Sequence, residues 1–255
     1  MTDTPEEKPG LARKVAGELG ETIRFIAGVA AVYLGLVTFA FAAFHIPSES
    51  MQPALQVGDR VLVSKFNYGY SRHSLPLGLG YHVPDSWEGR VLSFGMPKRG
   101  EMVVVRDPGQ RINIIKRVIG HPGDTVEVRA GRLYLNGDLI ERVEREEVRY
   151  RSRDGGLVSA IAYDEIMPDG SSHVIYERSD SAPLDNAGPF RVPSDHYFLM
   201  GDNRDASADS RVAAGLGYVH RDELVGRAIT VLFTFASCRD EPGLECPGWR
   251  VWLPL

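Results

Sequence analysis

The stretch FIAGVAAVYLGLVTFAFAAF, Phe25 to Phe44, runs for twenty residues without a charge. At about 1.5 Å of rise per residue, such a helix crosses a hydrocarbon core of about 30 Å. A cleavable signal peptide has a shorter apolar run that ends in a small-residue cleavage site. This run instead leads into HIPSESM, His45 to Met51, and is read as an uncleaved anchor. A buried core helix is the other reading that composition leaves. Lys8, Arg13, Lys14 and Arg24 precede the run, whereas the twenty residues after it carry only Arg60. Basic residues stay on the cytoplasmic side. The expectation is a cytoplasmic tail over residues 1–24, an anchor over 25–44, and the rest of the chain outside.

Beyond the anchor, strand signals replace helical ones. Arg60 to Phe66 (RVLVSKF), Glu101 to Arg106 (EMVVVR), Ile112 to Ile119 (INIIKRVI), Tyr197 to Met200 and Ala228 to Phe235 (AITVLFTF) are rich in β-branched and aromatic residues. Thr125 to Arg142 alternates apolar and polar residues around Ala130-Gly131 and Asn136-Gly137, and Asn-Gly is a strong type I′ hairpin signal. Residues 67–100, rich in Gly, Pro and Ser, read as a long irregular excursion. From Glu141 the chain turns strongly charged (ERVEREEVRYRSRD) and then loop-like to about Pro189. That is the pattern of an insertion with its own small sheet, whose charges form a solvated face.

Bulk properties narrow the functional classes. A hydrophobic share of 43% with 25% charged residues suits a packed protein of 255 residues. The net charge of -5 gives no reason to expect nucleic acid as a partner. Two cysteines and seven scattered histidines without HExxH supply neither a four-Cys zinc site nor a zinc protease, so no metal and no cofactor are expected. Cys238 and Cys246 flank RDEPGLE, whose Pro-Gly favours a turn. In an oxidising compartment the two are expected to form a disulfide.

Three segments carry chemistry. Just past the anchor lies IPSESMQPAL, Ile46 to Leu55, followed by Gly58-Asp59. Its prolines and serines stop a helix, and by itself it is a serine-rich turn. The second segment is the strand of Lys116. Alternation puts Lys116 on the face of Ile112, Ile114 and Val118, among β-branched apolar neighbours. Burial lowers a lysine pKa by up to about 3–5 units, and a neutral amine can take a proton from a hydroxyl. The alternative is a lysine that snorkels past the sheet edge. The third is GDNRDASADSR, Gly201 to Arg211, a loop suited to dense internal hydrogen bonding. Asp205, Ser207 and Asp209 have the spacing that opens an EF-hand, but Gly at the sixth place and Glu at the twelfth are missing.

Taken in order behind an N-terminal anchor, SESMQPAL, IIKRVIGHPGD and GDNRDASADSR resemble the segments of bacterial type I signal peptidase, from about Phe44 to Phe233. The resemblance implies a mainly β fold: an antiparallel-sheet catalytic core over 45–140 and 190–255, with a smaller inserted β domain over 141–189. It implies that Ser50 is the nucleophile and Lys116 its general base. Ser48 would serve the oxyanion and Ser207 would orient the lysine, while Asp209 and Arg211 would buttress the site. Phe44, Ile46, Leu55, Ile114 and Ile115 match positions lining shallow pockets for the substrate residues one and three before the cut. The implied substrates are exported preproteins cut after an Ala-X-Ala pattern. The implied place is the lipid bilayer of the bacterial cytoplasmic membrane, with one span and the catalytic part on the outer side. This chain departs from the family at Ala54, often Thr, and at Ala206, often Asn. Val212 to Gly217 replaces the usual aromatic-glycine pair. A conjugation-pilus maturation peptidase would share Ser50 and Lys116 and differ in substrate. A self-cleaving repressor would need a DNA-binding segment, and a membrane-tethered β module without activity would tolerate loss of Ser50.

Overall fold

The computed structural model describes residues 11–75, 82, 84, 89–90, 94–152, 154–212, 215–235, 244 and 248–255. One long helix, α1 (Leu11–Phe39), precedes a body built of strands. Val15–Val37 is its 23-residue apolar stretch, about 34 Å long at 1.5 Å per residue, and none of it is buried inside the protein.

The anchor read from composition, 25–44, is displaced at both ends. Residues 11–24 are already helical, and the helix stops at Phe39. Phe41–His45 is strand β1, as apolar as the span before it but hydrogen-bonded to a neighbouring strand. Hydropathy alone cannot separate the two, because lipid and a sheet core reward the same side chains. The junction is tight. Ala40 N–H still bonds Leu36 O at 2.8 Å, and Ala40 O accepts from Lys65 N–H at 2.9 Å. The last helical carbonyls are capped from the body: Lys65 Nζ donates to Val37 O at 3.3 Å, and Tyr70 OH donates to Phe39 O.

After β1 come β2 (Asp59–Ser64), β3 (Met102–Asp107) and β4 (Ile112–Gly120). The chain then leaves this sheet for β5 (Thr125–Arg129), β6 (Arg132–Leu135) and β7 (Asp138–Leu139). Next are β8 (Glu141–Arg151), β9 (Leu157–Ile166) and β10 (Ser172–Glu177). It returns through β11 (Ala187–Arg191) to β12 (His196–Met200), β13 (Val219–His220), β14 (Leu224–Thr234) and β15 (Leu253–Pro254). The main sheet has eight strands in the order β1-β2-β14-β3-β4-β12-β13, with β15 on β14. The other two sheets are β10-β9-β8 and β11-β5-β6-β7, and all strand pairs between named strands are antiparallel.

Alternation explains the layers. On β3, Met102 and Val104 join Ile46, Met51, Leu55 and Ile115 in one core, while Val103 and Val105 join Val118, Leu199 and Leu224 in another. Val126, Val128, Leu133 and Leu135 turn inward from β5 and β6 against Ile119, Phe198 and Met200, making a third core. Asn136 (φ 56°) and Gly137 (φ 92°) form the expected tight turn between β6 and β7. The charged run from Glu141 is the mostly exposed strand β8. The boundary drawn at residue 141 marks the start of β8, but the chain has already left the main sheet after Gly120, and β11 pairs with β5 beyond residue 186. Cys238 and Cys246 lie outside the described residues, as does much of the 67–100 excursion.

Candidate active site

The turn after β1 is fixed before it reaches Ser50. Ile46 N–H bonds Asp59 O at 3.0 Å, and Gly58 N–H bonds Ile46 O at 2.8 Å, closing the neck of the loop. Ser48 is extended (φ −137°, ψ 158°) and leads into a single 3-10 turn, Glu49–Met51. Met51 and Leu55 are fully buried in the core below, so the turn cannot roll. Ser50, held between them and Ser48, is 8% exposed.

Lys116 reaches the same point from the middle of β4. Its Nζ donates to Ser50 Oγ at 2.7 Å and to Ile115 O at 3.1 Å, and the residue is only 4% exposed. Ile114 and Val118, on its own face of the strand, pack in the core of Val103. Burial lowers the amine pKa to about 8; the negative charges of Asp209 and Asp202 oppose that shift, and Arg211 adds to it. A lysine snorkelling past the sheet edge is therefore not what the chain builds. At 2.7 Å one proton can pass between nitrogen and oxygen without either atom moving far.

The loop after β12 closes the third side. Asp209 is wholly buried and accepts from Gly201 N–H at 3.0 Å and from Arg211 Nε at 2.9 Å and Nη2 at 3.0 Å. Burial pushes its carboxyl up, but the Arg211 guanidinium outweighs this and holds it below the usual carboxylate range. Asn203 N–H bonds Ser50 O at 3.1 Å, tying this loop to the first. Gly201 is obligatory at the seam: a Cβ there would stand 2.5 Å from both Ser50 O and Ser207 Cβ.

The expected site residues are not all joined as expected. Ser48 Oγ stands 3.4 Å from Ser50 Oγ. Ser207 is packed in the Gly201 corner, but its buried hydroxyl makes no hydrogen bond, and the Lys116 hydrogen bonds go to Ser50 and Ile115. Ile46, Leu55 and Ile115 share one core with Phe44 packed against it, whereas Ile114 packs against the core on the other side of the sheet. Adjacent strand residues point to opposite faces, so Ile114 and Ile115 cannot both line one wall.

Among the buried ion pairs that escaped sequence reasoning, two brace the site. Arg117 grips Asp202 through Nε at 2.7 Å and Nη2 at 2.6 Å, bracing β4 against the loop of Gly201. Arg250 donates Nη2 to Asp59 at 2.7 Å and to Ala54 O at 2.9 Å, and so holds the turn behind Ser50 from the far end of the chain. Arg117 and Asp59 sit inside the quoted segments and could have been suspected as buried charges. Arg250 carries no local signal of its partner.

The family described as signal peptidase, peptidase S26, matches residues 19–233. The signal peptidase I of Pseudomonas aeruginosa is 39% identical over 210 residues, which cover 78% of this chain and 67% of that protein. The signal peptidase I of Rickettsia typhi is 33% identical over 198 residues, 75% of this chain and 71% of the relative. Among solved structures, a signal peptidase I from Enterococcus faecalis aligns with a TM-score of 0.32 at 23% identity, covering 53% of this chain and 98% of its own.

Proposed function

The chain belongs to the signal peptidase family, peptidase S26, and from that premise we propose that it removes signal peptides from exported preproteins with Ser50 as nucleophile and Lys116 as base. It is a serine endopeptidase with one N-terminal apolar helix fit to anchor it in a membrane. The observation that carries the assignment of roles is the 2.7 Å contact between Lys116 Nζ and Ser50 Oγ, at an amine whose pKa is lowered to about 8.

At that pKa about a tenth of the amine is neutral at pH 7. The neutral amine takes the Ser50 proton as Oγ attacks the scissile carbonyl, and the new ammonium returns it to the leaving nitrogen as the C–N bond breaks. Water then repeats the sequence on the acyl-Ser50 ester. The Ser48 hydroxyl, 3.4 Å from Ser50 Oγ, stabilises the oxyanion together with the backbone N–H of Ser50. Once Ser50 is acylated the neutral Lys116 amine has lost its hydroxyl partner, and the unpartnered Ser207 hydroxyl in the same corner is the group that orients it for the incoming water.

Phe44, Ile46, Leu55 and Ile115 share one apolar core next to the Ser50 turn, and with Ile46 and Leu55 buried in it a pocket opening there has little room to widen. Overfilling such a pocket costs about 1–3 kcal/mol. Alternate residues of an extended substrate face the same way, so the first and third residues before the cut must be small while the second is free. The substrate class is then an apolar, membrane-held segment ending in Ala-X-Ala. The site faces the outer side of a bacterial cytoplasmic membrane. The test is a precursor series that varies only those two positions, incubated with the full chain in detergent and read by the N-terminal sequence of the product. Ala should be cut fastest, Gly and Ser tolerated, Leu and Phe rejected. Equal turnover of Ala and Phe would sink the pocket assignment.

A further inference from the structure

Beside the loop of Gly201, three carboxylates meet. Glu177 ends β10, Asp185 lies in the chain leading to β11, and Asp205 lies in the loop of Gly201, two residues before Ser207. Each brings a carboxylate oxygen to within 4.8 Å of the other two. The sequence spacing that failed as an EF-hand used Asp205 with its own loop; the fold gives Asp205 different company.

Each member has one oxygen already occupied or facing a cation, and one without a partner. Asp205 Oδ2 accepts from Arg178 N–H at 2.8 Å and Ser179 N–H at 3.1 Å. Asp185 Oδ2 accepts from Ala182 N–H at 2.5 Å. Glu177 Oε2 faces Arg142 Nη1 at 3.7 Å. The oxygens left over, Glu177 Oε1, Asp185 Oδ1 and Asp205 Oδ1, are buried and make no hydrogen bond. Glu177 is 3% exposed and Asp185 0%, so water does not serve them freely. Backbone amides thus hold the two aspartates in place while their free oxygens stay unmatched. Buried anionic oxygens without donors are costly and call for a counter-charge.

From this geometry we propose that Glu177, Asp185 and Asp205 form a binding site for one calcium ion, separate from the Ser50 centre. A set made only of hard oxygens selects a hard cation rather than zinc or copper. Calcium–oxygen distances of about 2.3–2.6 Å allow ligands up to about 5 Å apart around one ion, and calcium accepts irregular shells completed by water. The electrostatics agree. Burial pushes the Glu177 carboxyl up to about 8; Arg204 opposes this, while Asp205 and Asp185 add to it. Burial likewise raises Asp185, with Asp205 adding to the shift. Arg142, Arg204 and Arg211 are the cations nearby, but Arg204 is engaged by Glu165 and Arg211 by Asp209. A bound divalent ion would invert the pKa pattern and stitch β10, the β11 lead-in and the catalytic loop together.

The experiment uses the full chain in detergent, freed of metal with a chelator and titrated with calcium chloride by calorimetry and thermal melting. One calcium per chain should bind and raise Tm, with magnesium weaker. Glu177→Gln and Asp185→Asn, both near-isosteric, should each weaken uptake at least tenfold and abolish the calcium-dependent rise in Tm. Asp205→Asn is the third arm should either of those fail to fold. No calcium uptake by the unaltered chain at millimolar concentrations overturns the site, and points to a proton held among the carboxylates. Undiminished uptake by the folded variants overturns it too. Neither readout involves cleavage, so the site and the proposed catalytic roles stand or fall separately.

Discussion

Two electrostatic demands compete at Lys116. Burial favours the neutral amine, and the carboxylates of Asp209 and Asp202 favour the ammonium; burial wins, leaving a pKa of about 8. Cleavage should therefore rise with pH and level off above about 8, where the amine is already neutral. Stability is linked to the same shift. The unfolded lysine titrates near 10.5, so between about 8 and 10.5 the unfolded chain binds the extra proton. This lysine's penalty is complete below about 8, shrinks as pH rises through that window, and is gone above it. Lys116→Met, which keeps the length and removes the charge, should raise Tm at pH 7 while abolishing cleavage. Ser50→Ala and Lys116→Ala should each lower turnover by about 10⁴-fold or more. Lys116→Arg should fail with them, because a guanidinium does not deprotonate at any working pH. Ser207→Ala should cost less, since it removes an orienting hydroxyl and leaves the base. Retained activity in Lys116→Arg would rule out the lysine as base. The pair was reached in the sequence only through the resemblance of the three segments taken together, because a serine turn and a lysine in an apolar strand each have a bland local reading. That the Ser207 hydroxyl stands without a partner was not legible, because hydrogen bonding in a corner depends on rotamers that no spacing encodes.

At the scale of elements, local composition was the reliable guide. It placed β2, β3, β4, β12 and β14 to within a few residues through their β-branched and aromatic runs, and alternation along β4 sets Ile114 and Ile115 on opposite faces. It could not find β1, whose five residues read as the end of a membrane span, nor the return of residues 249–255 to the site. That return is made by Arg250, which pairs with Asp59 across 191 positions. Asp59 is wholly buried and also accepts from Gln56 N–H at 2.9 Å, so it braces the turn that follows Ser50. Arg250→Ala strands a buried carboxylate and should cost about 3–5 kcal/mol. Urea unfolding would show this as a lower midpoint with an unchanged slope. A midpoint within error of the unaltered chain would mean that Asp59 is solvated after all.

For the whole molecule, the expected orientation rests on the helix and the basic residues before it. A reporter active only outside the cytoplasm should work when fused after Leu255. One active only inside should work on a chain cut at residue 20. The opposite pattern would put Ser50 on the side where preproteins are made rather than exported.

One feature of the junction acts at this largest scale. Between α1 and β1 stands a single residue, Ala40, hydrogen-bonded on both sides, and the last helical carbonyls are gripped by Lys65 and Tyr70. With α1 in the bilayer there is no tether to pay out. The body would be an outrigger on a fixed spar, with Ser50 held at one depth above the lipid. The enzyme would then act as a depth gauge as well as a blade. A precursor with ideal small residues but a longer or shorter apolar segment presents its cut site above or below the blade, and escapes for reasons of length alone.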